Sequence, residues 1–329
     1  MANLTTSYMG FTLKNPIIAA SSGLTNSLND LIELENAGVS AVVLKSLFEE
    51  EIRLEIDKDI LRMQKENFIY PEIMDFYDTI QRVEDSLTNY IKLIADAKNK
   101  INIPVIASIN CITSEKWPYY AKTLQDAGAD GIELNIALLP TDLHRSRTAN
   151  EKLHFEIIEE VKQHINIPIA VKISYFSSNL ALFIKHLSET GINSLVLFNR
   201  FYSPDININE FEIVSSNIFS SPEESTIPLR WIALMSGPVN CDLAASTGIH
   251  DGAGVIKQLL AGAKAVQVAS ALYKNGKNHI KAMLNEIANW MNVHNYKNIT
   301  DYIGKMSQDN INNPASFERI QFMKYFSGK

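Results

Sequence analysis

"AGVSAVVLKS" (37–46), "AGADGIELNI" (127–136), "TGINSLVLFN" (190–199) and "AGAKAVQVAS" (261–270) are four copies of one phrase: small residue, glycine, short turn, apolar run. Each reads as a helix stopped at its glycine, which adopts φ > 0 at little cost, followed by a strand. A second echo sets "INIPVIASIN" (101–110) against "INIPIAVKIS" (165–174). The runs are continuously apolar rather than alternating. That is the pattern of parallel strands covered on both faces.

Working outward from these phrases, strands are predicted at Ile17–Ser21, Ala41–Lys45, Val105–Ile109, Gly131–Asn135, Ile169–Ile173, Leu195–Asn199, Asp242–Ser246 and Ala265–Ala269. Helical patterns fall between them at Leu28–Ala37, Asn89–Lys98, Trp117–Ala127, Glu151–His164, Leu180–Thr190 and Ala253–Ala261. Eight parallel strands with intervening helices make an α/β protein of the (β/α)8 TIM-barrel type. A doubly wound open sheet is the rival, but no glycine-rich dinucleotide fingerprint follows the first strand. The whole length, residues 1–329, suits one barrel domain. Two longer stretches, starting at Glu49 after strand two and at Arg200 after strand six, read as insertions on the catalytic side: lids, site walls, surface hairpins or oligomer contacts. At the C-terminus, Ile280, Met283, Leu284, Ile287 and Met291 share a helical stripe, and Phe317, Ile320, Phe322, Met323 and Phe326 extend a helical tail.

Chemistry in this barrel sits at the C-terminal ends of the strands. Those ends carry Ser22, Lys45, Asn110, Asn135, Lys172 and Asn199, and Glu133 stands inside an apolar run. An unpaired buried ammonium is expensive, so two lysines and three amides converging on one mouth point to a ligand. Loops after strands seven and eight usually cradle phosphate in this fold. Thr247, Gly248, Ala269 and Ser270 occupy them here, small enough for backbone N–H groups to approach an anion; His250 adds a candidate charge or is simply solvated.

The chain is 46% hydrophobic and 20% charged with a net charge of −7, which argues against a nucleic-acid or anionic-membrane footprint. Two cysteines, Cys111 and Cys241, make neither a disulfide framework nor a metal spacing, and no metal is expected. No apolar run approaches the roughly 20 residues of a membrane span, and the N-terminus lacks a basic flank before a long apolar segment, so a cytoplasmic location is expected.

With these residues in place, the sequence resembles the dihydroorotate dehydrogenases, FMN-dependent barrels of pyrimidine biosynthesis. The likeness runs from "LKNPIIAASSG" to "VQVASALYKNG" and is carried in order by "NPIIAASSG", "LKS", "IELN", "VKI", "LFN", "STGI" and "VQVASAL". The resemblance implies FMN, with Ser22, Lys45 and Ser46 along its ring and Lys45 reaching a dihydroorotate-like small molecule. It implies Asn135 between flavin and substrate, Lys172 near the pyrimidine end of the flavin, and Asn199 on the substrate. Thr247–Gly248 and Ala269–Ser270 would hold the phosphate, where the family usually has Gly-Gly and Gly-Thr; alanine at 269 is tolerable if its φ is negative. The soluble class of the family implies a homodimer.

Two departures stand out. In the family "ELN" leads to a Cys or Ser base, which takes a proton from C5 of the substrate as hydride leaves C6. This chain reads "ELNIALLPTD", and the base position falls on Leu138 or Leu139. The Asn-containing substrate loop after strand two is replaced by "QKENFIYPEIMDFY". A replacement base is sought first at His144, then at Asp142, Cys111 and Tyr70, with a solvated loop histidine as the plain alternative. Arg145 and Arg147 are candidates for a substrate carboxylate or for surface ion pairs. Three readings stay open: dihydroorotate oxidation or oxidation of another dihydro-compound, an FMN- or phosphate-binding barrel whose catalysis has lapsed, and a lyase using Lys172 as a Schiff-base former.

Overall fold

The computed structural model describes residues 2–52, 71–111, 115–136, 138–201 and 203–318, with the 71–85 stretch described by its backbone alone. A hairpin comes first, β1 (Thr6–Tyr8) against β2 (Phe11–Leu13). Eight parallel strands then form the wall: β3 (Ile17–Ala19), β4 (Ala41–Val43), β6 (Val105–Asn110), β7 (Gly131–Ile136), β8 (Ile169–Ile173), β9 (Ser194–Leu197), β12 (Asp242–Ser246) and β13 (Ala265–Val268). Each pairs with the next, and β13 pairs back onto β3, so the sheet closes as a TIM barrel. A short β5 (Leu47–Phe48) extends the rim beside the end of β6. Closure removes the open edges that would otherwise recruit other strands.

The apolar runs are explained by where their two faces go. Ile17, Ala19, Val42, Leu134, Val171 and Leu195 pack outward under the helices, while Ile18, Val43, Ile106, Ala170, Val196, Ala244 and Ala265 fill the barrel. Alternate side chains of one strand therefore enter two different cores, and neither face meets water. Each fully buried Leu, Ile or Val contributes about 1.5–3 kcal/mol. The bottom of the barrel is sealed by the β1–β2 hairpin, which sends Tyr8, Met9 and Leu13 into the inner cluster. Asp242, at the start of β12, accepts from the Met9 backbone N–H at 3.0 Å and pins that plug.

The observed helices follow the expected order, over Leu28–Ala37, Pro71–Lys100, Lys116–Asp126, Arg147–His164, Leu180–Glu189 and Gly252–Ala261. Gly38 closes the first at φ 111°, accepting no strain that a side chain would carry there. The 15-residue helix His279–Val293 buries Ile280, Met283, Ile287 and Met291 against the outside of the barrel. Phe317 packs against the same core; Ile320, Phe322, Met323 and Phe326 lie outside the described residues. Most of the stretch after β5 also lies outside them, including Tyr70. After β9 comes an antiparallel hairpin, β10 (Pro204–Asn207) with β11 (Glu212–Ser215), and then a helix over Thr226–Met235 that completes the outer ring.

Candidate active site

The C-terminal ends of the strands build a polar layer directly above the apolar barrel filling. Lys172 projects inward from β8, and its Nζ donates to Oε1 of Gln267 from β13 at 2.9 Å. Nε2 of the same amide donates to Oε2 of Glu133, and the other oxygen of Glu133 stands 3.7 Å from the Lys172 nitrogen. The three side chains close a triangle inside the barrel, all nearly sealed from solvent. Glu133 is thus aimed at partners within the wall, and the acid that interrupts an apolar run is explained by its inward parity on β7.

Above this triangle lies a cavity of about 180 Å³ lined by Ser21, Lys172, Asn199, Arg200, Ser220, Thr247, Gly248, Gln267, Ala269 and Ser270, among others. It unites residues from strand ends one, five, six, seven and eight of the barrel, including Lys172, Asn199 and both expected phosphate pairs. Asn135 joins through a 2.9 Å bond from the Asn199 side-chain amide to its Oδ1. Ser22 does not line this cavity. It caps the turn over Gly23–Thr25, accepting from the Leu24 N–H, and the neighbouring Ser21 faces the cavity instead.

Lys45 departs from the expected convergence. Its ammonium pairs with both oxygens of Glu51 at 3.2 Å, and it lines a separate cavity of about 300 Å³ with Ser46, Asn26, Ser86, Asn89 and Tyr90. Glu51, three residues past the rim strand, supplies a nearby exposed carboxylate, so the lysine takes that partner. The two cavities meet at a hydroxyl relay: Ser21 Oγ to Ser46 Oγ at 3.1 Å, then Ser46 Oγ to Ser108 Oγ at 2.8 Å.

The two loops expected to hold phosphate show why small residues stand there. Thr247 and Gly248 have φ of 82° and 75°, two successive left-handed residues. A Cβ on Gly248 would meet the Ser225 backbone nitrogen at 2.2 Å, so glycine is required on both counts. Thr247 is a β-branched residue in a conformation such residues rarely adopt. Thr247→Gly is therefore expected to change stability by less than about 1 kcal/mol, since relief of the strain is offset by the lost 3.2 Å bond to the Phe198 carbonyl and by glycine's greater freedom in the unfolded chain, and a urea unfolding midpoint checks it. Ala269 has φ −135°, which settles the condition on alanine at that position.

One participant has no signal in the sequence. Ser220, almost fully buried, lies across these two loops: its N–H donates to Ser270 Oγ at 3.0 Å, its hydroxyl meets Gly248 N–H and His250 Nε2, and its carbonyl accepts from Lys274. Burial, with Lys274 nearby, holds the His250 imidazole below its ordinary value, so at neutral pH the ring is an uncharged hydrogen-bonding group. Arg200 anchors the same segment through Glu224 at 2.8 Å and the carbonyls of Asn217 and Ile218.

Beyond Asn135 the chain carries no acid or base before Asp142. The Leu138 carbonyl accepts from Ser174 Oγ, and its side chain packs against the core, while Leu139 is half exposed. His144 sits on an exposed turn, its N–H bonded to Asp142 Oδ1, and is not among the residues lining the cavity. Asp142 and Arg145 pair loosely at 3.8 Å on that turn, and with Arg147 they line a different, outer cavity. Cys111 is buried beside Glu49 and Glu50, and desolvation followed by those carboxylates pushes its thiol well above the ordinary range, away from use as a base. Among the described residues no cluster of three His, Cys, Asp or Glu side chains could hold a metal, and no helix is long and apolar enough to cross a membrane.

A model of the dihydroorotate dehydrogenase family matches residues 3–291. The chain belongs to the dihydroorotate dehydrogenase family. Its relatives include a dihydroorotate dehydrogenase B (NAD(+)) catalytic subunit from Thermoplasma acidophilum, 25% identical over 92% of this chain and 99% of the relative. Subunits of the same description from a Thermoanaerobacter species (24% identity, 93% and 100% coverage) and Methanocaldococcus jannaschii (22%, 89% and 94%) are similarly alike.

Proposed function

We propose that this member of the family is an FMN-dependent oxidoreductase acting on the CH–CH bond of a small dihydro-compound, with dihydroorotate as the reference substrate. The observation that carries the reading is the single cavity joining Lys172 to the Thr247–Gly248 and Ala269–Ser270 loops. A buried ammonium and small, left-handed loop residues suit a phosphorylated, electron-accepting ligand. In this reading Thr247, Gly248, Ala269 and Ser270 hold the phosphate and Ser220 closes over it. Lys172 faces the flavin, Asn135 and Asn199 bind substrate, and Ser22, Lys45 and Ser46 reach the ring only if Lys45 leaves Glu51 and the turn at Ser22 shifts toward the cavity. When bound, FMN supplies the hydride acceptor.

The protein's own task would be to orient the substrate and take its proton. Leu138 can do neither by hydrogen bonding, and general-base assistance is typically worth ~10²–10⁴-fold in rate. A slowed dihydroorotate reaction, or a substrate with a more acidic C–H, follows. His144 serves as a replacement base only if its turn folds inward. A Schiff-base role for Lys172 is disfavoured, since that chemistry needs a free amine and this nitrogen faces Glu133 and Gln267. We further propose a cytoplasmic homodimer of single-domain chains; the apolar hairpin, with Ile206 64%, Phe211 89% and Ile213 76% exposed, supports a protein contact there.

Purified protein is expected to carry, or take up, one FMN with its visible spectrum. Anaerobic dihydroorotate is expected to bleach it over minutes or longer rather than seconds. Protein that stays colourless after incubation with FMN overturns the flavin reading.

A further inference from the structure

Glu133 has no part in the roles above, yet it is a charged residue at a fully sealed position of the barrel. It is fully buried, and its Oε1 has no hydrogen-bond partner among the described residues. Its register partner on β8 is Ala170, and Tyr8 of the apolar filling lies close enough for its hydroxyl to feel the acid's charge. Sealing a carboxylate there costs several kcal/mol, and an apolar side chain of similar size would fill the space without that cost. Packing alone does not explain an acid.

The triangle suggests what does. Gln267 is committed in both directions, accepting from Lys172 and donating to Glu133. Its amide orientation is therefore fixed by the acid below and in turn fixes the ammonium above. With one N–H spent on Gln267 and one side turned toward Glu133, Lys172 has its remaining direction open to the cavity of Thr247, Gly248 and Ser270. A carboxylate 3.7 Å behind that nitrogen also subtracts from the positive field it projects into the cavity.

Resting on the flavin reading above, we infer that Glu133 is a positioning residue that aims Lys172 and partly cancels its charge, holding the reduction potential of the bound flavin below what the lysine alone would set. The charge, more than the shape, is the operative feature. An anion close to the flavin disfavours the electron-rich reduced state, and a lysine balanced by an acid stabilises it less than an unbalanced one.

The test compares the midpoint potentials of FMN-loaded wild type and Glu133→Gln by equilibrium titration against a reference dye. The variant is expected to favour reduced over oxidised flavin at least tenfold more than wild type, an upward shift of about 30 mV for the two-electron couple. Glu133→Asp, which keeps the charge, is expected to lie closer to wild type. Wild type that takes up no FMN removes the flavin reading itself. Wild type and Glu133→Gln that both bind FMN with the same potential overturn this inference alone. If Glu133→Gln does not fold, Gln267→Leu decides the matter: it leaves Lys172 and Glu133 to pair directly, so the potential is expected to fall, and an unchanged value counts against the proposal.

Discussion

Replacing Lys172 with methionine is expected to cost about 3–5 kcal/mol of stability, because it strands the Glu133 carboxylate in a solvent-free layer. The pair lies 3.7 Å apart with side-chain exposures of 8% and 1%, so water cannot reach in to compensate. Gln267 can satisfy only one oxygen of the acid. The double variant Lys172→Met/Glu133→Leu removes both charges and is expected to regain most of the loss, since apolar replacements of a buried pair are often neutral or better. Urea unfolding of the four proteins in this cycle gives the coupling directly. A single variant that loses under about 1 kcal/mol would mean that the pair is hydrated and the triangle is not as tight as its distances imply. Because the cycle uses no cofactor, it tests the architecture of the site apart from its occupant.

The barrel was legible because parallel strands buried on both faces leave unbroken apolar runs, and because glycine marks each helix end. Gly38, Gly128, Gly191 and Gly262 all have positive φ, so the four-fold phrase reported a backbone requirement and not mere composition. That Lys172, Asn199 and the loops at Thr247–Gly248 and Ala269–Ser270 share one cavity, with Asn135 bonded to Asn199, was legible for a related reason: polar residues at the end of an apolar run need partners, and the barrel supplies only one mouth.

What escaped the sequence depends on partners that no local pattern announces. Lys45 was expected to join Lys172, but its nitrogen meets Glu51, six residues on, across a rim whose bend is not encoded in periodicity. Ser21 and Ser22 differ only in which side of a turn they face, and a capping hydroxyl is indistinguishable by type from one that lines a cavity. Ser220 comes from a polar stretch that reads as loop, and its place over Gly248 and Ser270 is fixed from a distance by Arg200 and Glu224. The helix over Thr226–Met235 was missed because "TIPLRWIALM" follows that loop without a break and carries Pro228 in its first turn, where proline forfeits no helical hydrogen bond.

The second large effect concerns the empty base position, and here a gain is expected. Of the two residues to which that position can be assigned, Leu138 packs against the core beside Ser174 and lines the outer cavity with Asp142 and Arg145, so a base there serves only a substrate that extends into that cavity, whereas Leu139 is 49% exposed and lines neither cavity. With dihydroorotate extending into that cavity, Leu138→Cys should raise the rate of anaerobic flavin reduction by at least about 100-fold, the lower end of what a positioned base contributes. Leu139→Cys should leave it within about threefold of wild type, since a base without reach adds little. The gain should also have a pH signature. A thiol works as a base only when ionised, so the Leu138→Cys rate should climb as pH rises through about 8.5, while the wild-type rate lacks that rise. Stopped-flow reduction of FMN-loaded protein across that range separates the outcomes. A flat, unimproved Leu138→Cys profile would show that the missing proton acceptor is not what limits dihydroorotate. It would move the barrier to the altered segment after strand two and make a different dihydro-compound the substrate to seek.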